Sequence, residues 1–330
     1  MKLTPLFSSA LVFAGLALGV AAAQVGSAPS AAIPAIPVQP GPVLPPVQPP
    51  APVTALALLP DGVRLVCAGA ELRQLSPQGR LLRRIALPEP CLSLQVSPAG
   101  TLALTVGRSG ARVWRLSDGQ ELHSLSLAGL AGRVAFLSDD ELLLGTGRGV
   151  ESLKLAPRQR RVLLPGAVSG LALAPGGERL LLSRGERLEL VRLSDFKVLS
   201  GIRCEELCPL RRVQFSADGR GAVALAGVTL YALRDGRPVN VVLRGAEGDV
   251  TGFPLPDGGV WVVRGGQLER RDAQTGRREG RLLDDSPKNA LVDAPAAWNG
   301  TGGVLLMTQD RQLLELGPDG REVSRQPLGF

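Results

Sequence analysis

Seven turn signals recur along this chain at an almost constant interval, and they constrain its architecture more than any single residue does. They are Pro60-Asp61-Gly62, Pro98-Ala99-Gly100, Ser138-Asp139-Asp140, Pro175-Gly176-Gly177, Ala217-Asp218-Gly219, Pro256-Asp257-Gly258 and Asn299-Gly300-Thr301. Counted at the middle residue of the first six and at Gly300, they lie 38, 40, 37, 42, 39 and 43 residues apart. A strand-rich unit repeated at this period is one blade of a β-propeller. The sequence therefore predicts an all-β fold, a seven-bladed β-propeller of four-stranded antiparallel blades over residues 53–330. Such a ring is a scaffold on which catalysis, ligand binding and protein docking can all be built, so the period speaks to fold and not to function.

Each repeat reads the same way. An apolar strand such as Val53 to Leu59 or Val213-Gln214-Phe215 leads into the Pro/Asp/Gly turn, and a second follows, as in Leu102 to Val106, Leu180-Leu181-Leu182 or Val260 to Val263. A glycine-containing hairpin then opens a third, alternating strand, for example Leu188 to Leu193, and a turn such as Ser117-Asp118-Gly119 opens the fourth. Inner strands, packed on both faces, are expected to be continuously apolar, whereas outer strands such as Arg80 to Arg84 and Arg277 to Arg281 carry charge. No four-stranded sheet buries both faces alone, so stability must come from the faces between neighbouring blades.

The run Val113-Trp114-Arg115-Leu116-Ser117-Asp118-Gly119-Gln120-Glu121-Leu122 resembles the end of a WD repeat, and 53–330 as a whole resembles the WD40-like and YVTN-like bacterial propellers. Departures accompany the likeness. The Trp-Asp pair is Trp114-Arg115, and the lone His123 follows the hairpin instead of opening a repeat, so the polar tetrad of WD40 blades is not expected. The first repeat begins on its innermost strand and the last ends on its outermost, near Arg321 to Leu328. Prolines before Val53 make poor ladder donors, so the ring is expected to close by packing of faces and not by a shared strand.

Two segments precede the repeats. In 1–23, a single lysine is followed by fifteen uncharged, mainly apolar residues from Leu6 to Val20 and by Ala21-Ala22-Ala23, the pattern of a cleaved signal peptide. The run is shorter than the roughly 20 apolar residues that span a bilayer, and no cysteine stands at the cleavage point to take a lipid. The expected location is extracytoplasmic, periplasmic or secreted, with no stable membrane anchor after cleavage. Residues 24–52 hold ten prolines in twenty-nine positions and no charge, the composition of a disordered polyproline II spacer.

An oxidising compartment gives the four cysteines a meaning. Cys204 and Cys208 flank a short loop between blades and are candidates for one disulfide; Cys67 and Cys91, in adjacent blades, are candidates for a second. No C-x2-C pair or histidine set at ligand spacing suggests a metal, and no motif calls for a cofactor. Catalysis has little to stand on: one histidine, His123, on an outer strand, two aspartate pairs at turns, Asp139-Asp140 and Asp284-Asp285, no Walker loop and no nucleophile elbow. Quinoprotein and lactonase propellers assemble their sites from separate blades and leave no local motif, so an enzyme of that kind is the alternative to a binding scaffold.

Charge is the remaining asymmetry. The net charge is +7 and only four of the 37 basic residues are lysine. A GC-rich coding sequence would raise arginine without implying a partner, so position matters more than number. The hairpins between second and third strands contain Arg108, Arg148, Arg184, Arg264 and Arg311, and in a propeller these hairpins emerge on one face. A broken arginine ring of this kind suits carboxylate, phosphate or sulfate groups. The expected partner is a protein or an anionic envelope polymer. Seven phenylalanines, three tryptophans and one tyrosine are too few for a stacking platform, which argues against nucleic acid.

Overall fold

The computed structural model describes residues 51–126, 133–204, 208–246, 250–255, 257–281, 283, 291–298 and 303–328, with backbone alone for 292–298. The leader 1–23, the spacer up to residue 50, Pro256, Asp284-Asp285 and the turn 299–301 lie outside the described residues.

Seven four-stranded antiparallel sheets follow one another in chain order. Blade one is β1 (Val53–Leu58), β2 (Arg64–Ala68), β3 (Glu71–Leu75) and β4 (Leu81–Ala86); blade two is β5 (Ser93–Val96), β6 (Leu102–Val106), β7 (Ala111–Arg115) and β8 (Glu121–Leu125). Blade three is β9 (Val134–Phe136), β10 (Glu141–Gly145), β11 (Gly149–Lys154) and β12 (Gln159–Pro165); blade four is β13 (Gly170–Leu173), β14 (Arg179–Arg184), β15 (Arg187–Arg192) and β16 (Val198–Arg203). Blade five is β17 (Leu210–Phe215), β18 (Gly221–Ala226), β19 (Thr229–Arg234) and β20 (Asn240–Leu243). Blade six is β21 (Thr251–Pro254), β22 (Gly259–Arg264), β23 (Gln267–Asp272) and β24 (Arg278–Arg281); blade seven is β25 (Leu291–Trp298), β26 (Val304–Thr308), β27 (Gln312–Leu316) and β28 (Glu322–Pro327).

Burial is most complete on second strands, and several first strands are only partly buried. Every residue of β2, β18 and β26 is buried, whereas β1 is buried only at Val53 and Leu56. The second strand has a hydrogen-bonded neighbour on each edge and a blade on each face; the first has an unpaired edge toward the ring axis. The fourth strands are exposed as expected, with Ile85 the one buried residue of β4.

One position per blade carries the packing between blades. Leu65, Leu104, Leu143, Leu181, Val223, Trp261 and Leu305 occupy equivalent places on the second strands, and each is at most 1% exposed. Leu65 packs with Cys91, Leu94 and Trp114 of the second blade, and Leu104 with Val134, Phe136 and Leu142 of the third. Further round, Leu181 meets Leu210 and Phe215 of the fifth blade, and Trp261 meets Val304 and Leu314 of the seventh. Burying such a side chain contributes about 1.5–3 kcal/mol.

The seventh member closes the ring. Leu305, Met307 and Leu313 share a cluster with Val53, Leu56, Val66, Ala68 and Leu75 of the first blade, while among the described residues no sheet contains strands from both ends of the repeat array. Closure is therefore by face packing, as the prolines before Val53 imply. A polar latch reinforces it: Arg64, 5% exposed, donates to Gln326 Oε1 at 2.5 Å and lies 3.6 Å from Glu315, and Gln326 Nε2 donates to the Pro77 carbonyl at 3.2 Å. At the place of Arg64 the other blades carry Ala103, Leu142, Leu180, Ala222, Val260 and Val304, so at this strand position blade one alone carries a charge.

Candidate functional site

The hairpins between second and third strands lie on the same face as the connections that pass to the next blade. Backbone bonds tie the two together: Cys91 N donates to Gly69 O, Val168 N to Thr146 O, Cys208 N to Gly185 O, Ala246 N to Val228 O and Leu291 N to Gly266 O. The turns between first and second and between third and fourth strands form the opposite face.

All five predicted arginines are on the hairpin face, and the structure divides them. Arg108 and Arg148 stand in the turns themselves and are exposed. Arg264 is exposed as the last residue of β22. Arg184 ends β14 and is bound to Glu189 of the neighbouring strand β15 at 2.8 Å. Arg311, at φ 64, reaches back to the Ala51 carbonyl at 3.0 Å and serves ring closure. The expected ring of five thus presents three outward cations.

A fourth was missed. Arg211, exposed at the start of β17, enters the same face beside the axis. Its neighbours on the entry strands are committed across blades: Arg133 Nε donates to the Ser169 carbonyl at 3.0 Å and Arg212 Nη1 to Thr251 Oγ1 at 3.5 Å. Position within the repeat, a basic residue at the start of a first strand, was the available signal. The face is not uniformly positive. Glu89 accepts from the amides of Arg108 and Ser109 at 2.9 and 3.0 Å, and the hydroxyl and amide of Ser109 hold its carboxyl below the usual carboxylate range. Glu186 is taken by Arg203 at 2.7 Å.

The cysteines join in the two candidate pairs. Cys67 on β2 is bonded to Cys91 in the link to blade two, with Cα atoms 6.0 Å apart; Cys204 and Cys208 close the link between blades four and five at 6.2 Å. At the place of Cys67 blade four has Ser183, whose hydroxyl donates to the Cys208 carbonyl. The same inter-blade gap is thus bridged covalently in one blade and by a hydrogen bond in another.

His123 lies on β8, the outermost strand of its blade, opposite Val113; burial, and then Arg158, lowers its pKa. Asp139 Oδ1 accepts from Ala99 N in the corresponding turn of blade two at 3.2 Å, and Asp140 accepts from Ser138 Oγ within its own turn at 2.6 Å. Among the described residues no three His, Cys, Asp or Glu side chains converge as metal ligands.

The opposite face holds a feature that the repeat pattern did not single out. Between blades five and six a crevice of about 270 Å³ opens among the turns, walled by Val223, Ala232, Pro238, Leu255, Val260 and Ala273. Its origin is a local loss of side-chain volume. Val223 is the smallest of the seven packing residues, and opposite it stands Ala232, where the other blades have Gln74, Val113, Ser152, Leu190, Arg270 and Glu315. Aligning the repeats by strand register would have exposed this; the turn spacing alone does not, because it counts residues and not volume.

No protein-family model matches the chain, and no curated protein sequence matches it. Solved structures do. The C-terminal WD40 domain of Sif2 superposes with a TM-score of 0.57 at 16% identity, covering 77% of this chain and 78% of that one. The β-propeller domain of Cps50 (Swd1) from Myceliophteria thermophila gives 0.58 at 10% identity, over 78% and 93%. KlHsv2 with loop 6CD replaced by a Gly-Ser linker gives 0.57 at 13%, over 84% and 99%. The chain has the WD40-like propeller fold.

In this WD40-like propeller, Trp114 keeps a structural task. It is 5% exposed, and its indole Nε1 donates to Thr105 Oγ1 at 2.8 Å on the neighbouring strand β6. Arg115, where the repeat resemblance would place aspartate, pairs with Asp118 of the following turn at 2.8 Å. Thr105→Val is expected to cost about 1–3 kcal/mol, because it strands a buried indole N–H without changing volume much. Equilibrium urea unfolding checks this, with Thr105→Ser as the variant that retains the acceptor and most of the stability.

Proposed function

We propose that this chain is a secreted or periplasmic, non-catalytic binding scaffold that docks a protein or an anionic envelope polymer through its hairpin face. The observation that carries the reading is the set Arg108, Arg148 and Arg264, exposed on one face at the hairpins of blades two, three and six. Forked guanidinium donors on short, braced turns meet carboxylate, phosphate or sulfate oxygens with little ordering cost. The non-catalytic part rests on the position of the single histidine, His123, on an outermost strand. The extracytoplasmic part rests on the leader pattern of 1–23 and on the two disulfides, which persist in oxidising compartments.

The test is charge reversal. R108E/R148E/R264E is expected to lose retention on an immobilised polyanion such as dextran sulfate, and to lose capture of the envelope component that elutes from the parent chain with salt. Stability should hold, since exposed hairpin substitutions usually change it by within about 0.5 kcal/mol each. Equal retention of parent and variant at low salt would remove the hairpin face from the account.

A further inference from the structure

The crevice between blades five and six has a mouth as well as walls. Arg234 and Arg237, both exposed, stand at its edge around the β19–β20 turn, with Asn240, Gln274 and Asp218 beside them. Asp218 is the one carboxylate among the described lining residues, and it is engaged: its Oδ1 accepts from Ser216 Oγ at 2.6 Å and from Arg220 N at 3.0 Å. The Ser216 hydroxyl chiefly, with the Arg220 amide and a weaker pull from Arg234, holds its carboxyl below the usual range. Asp235, adjacent to Arg234 in the chain, is held by Arg179 at 3.0 Å. Within the described residues neither Arg234 nor Arg237 is in a side-chain hydrogen bond or a contact ion pair. The entrance is open as well as charged: a Cβ placed at Gly236 or Gly258 would meet nothing within 4 Å.

Apolar walls and a two-guanidinium mouth ask for opposite properties in one molecule. A neutral apolar ligand would make no use of the two guanidinium groups, and a polyanion would find no use for the walls. At about 270 Å³ the space lies just below the roughly 300 Å³ at which small-molecule sites begin, so a short body fits and a folded segment does not. We propose that this crevice binds a small amphiphilic carboxylate, with its apolar body between blades five and six and its carboxylate held by Arg234 and Arg237. Burial of the body supplies most of the free energy, and the charge-assisted pairing at the mouth supplies orientation and selectivity for an acid.

Calorimetric titration of the full chain with phenylbutyrate and with its uncharged amide tests the assignment. The acid is expected to bind saturably at one site and about tenfold tighter than the amide at low salt, a preference that shrinks at high salt. Ala232→Leu, which fills the crevice without touching a charge, should weaken the acid at least about tenfold; Val223→Leu, restoring the leucine found at five of the other six positions, is a second filling variant should the first fold poorly. R234Q/R237Q should abolish the preference for acid over amide while retaining amide binding. The hairpin variant R108E/R148E/R264E should bind phenylbutyrate like the parent, which separates this site from the docking face. No saturable binding of the acid, equal affinity for acid and amide, or undiminished binding in a folded filled variant would each overturn it.

Discussion

Leu305→Ala is expected to destabilise the ring as much as Leu181→Ala, each by about 2–5 kcal/mol, although one sits at the junction of chain ends and the other in the middle of the array. Both side chains are buried at the same blade position, 1% and 0% exposed, and each enters the face of the next blade. The cost has two parts, the transfer of the leucine atoms and the cavity left where neighbouring strands cannot collapse. In a propeller closed by a shared strand, hydrogen bonds would hold the junction and the leucine there would matter less. In this one, Leu305 with Met307 and Leu313 forms most of the seventh blade's apolar contribution to the closing face. Equilibrium urea unfolding of the two variants beside the parent decides it. A loss at Leu305 of less than about 1 kcal/mol, beside a full loss at Leu181, would show that the ends are not joined by packing.

Removing the Cys67–Cys91 bridge as the double alanine variant is expected to cost about 3.5 kcal/mol, against about 2 kcal/mol for Cys204–Cys208. The difference follows from loop length: the first closes a sequence separation of 24 and the second only 4, and cross-linking the longer loop removes more chain entropy from the unfolded state. Place in the structure sharpens the contrast. Cys67 and Cys91 are 0% and 1% exposed within the core that joins blades one and two. Unfolding with and without reductant measures both; a parent chain whose stability is unchanged by reductant under unfolding conditions would contradict the prediction.

The blade architecture was legible because a propeller is written as a periodic code. Turns that need glycine, proline or aspartate recur once per blade, and Gly62, Gly100 and Gly219 adopt the positive φ values, 80, 73 and 65, that explain why glycine stands at three of those turns. Second strands read as unbroken apolar runs since both their faces are covered. The cysteine pairs were legible as candidates from number and spacing. The arginine face was legible only as far as topology goes. That Arg108, Arg148, Arg184, Arg264 and Arg311 share a face follows from strand order, but whether each guanidinium is spent on a neighbour depends on distances to Glu189 and to the Ala51 carbonyl, one on the neighbouring strand and the other across the closure.

The chain by itself determined the number of repeats, the strand order within each, the face on which each hairpin emerges and the want of a strand to share at closure. All of these are local: they depend on residues a few positions apart, whose backbone preferences and alternation act before any distant contact forms. Tertiary structure alone decided how the blades fit. It set Arg64 against Glu315 and Gln326 across the closing junction, withdrew Arg184 and Arg311 from the outer face, and opened the crevice where Val223 and Ala232 meet the sixth blade. Side-chain volume and charge take effect only against the surface they pack on, and in a ring that surface belongs to a blade about 40 residues away or at the other end of the chain.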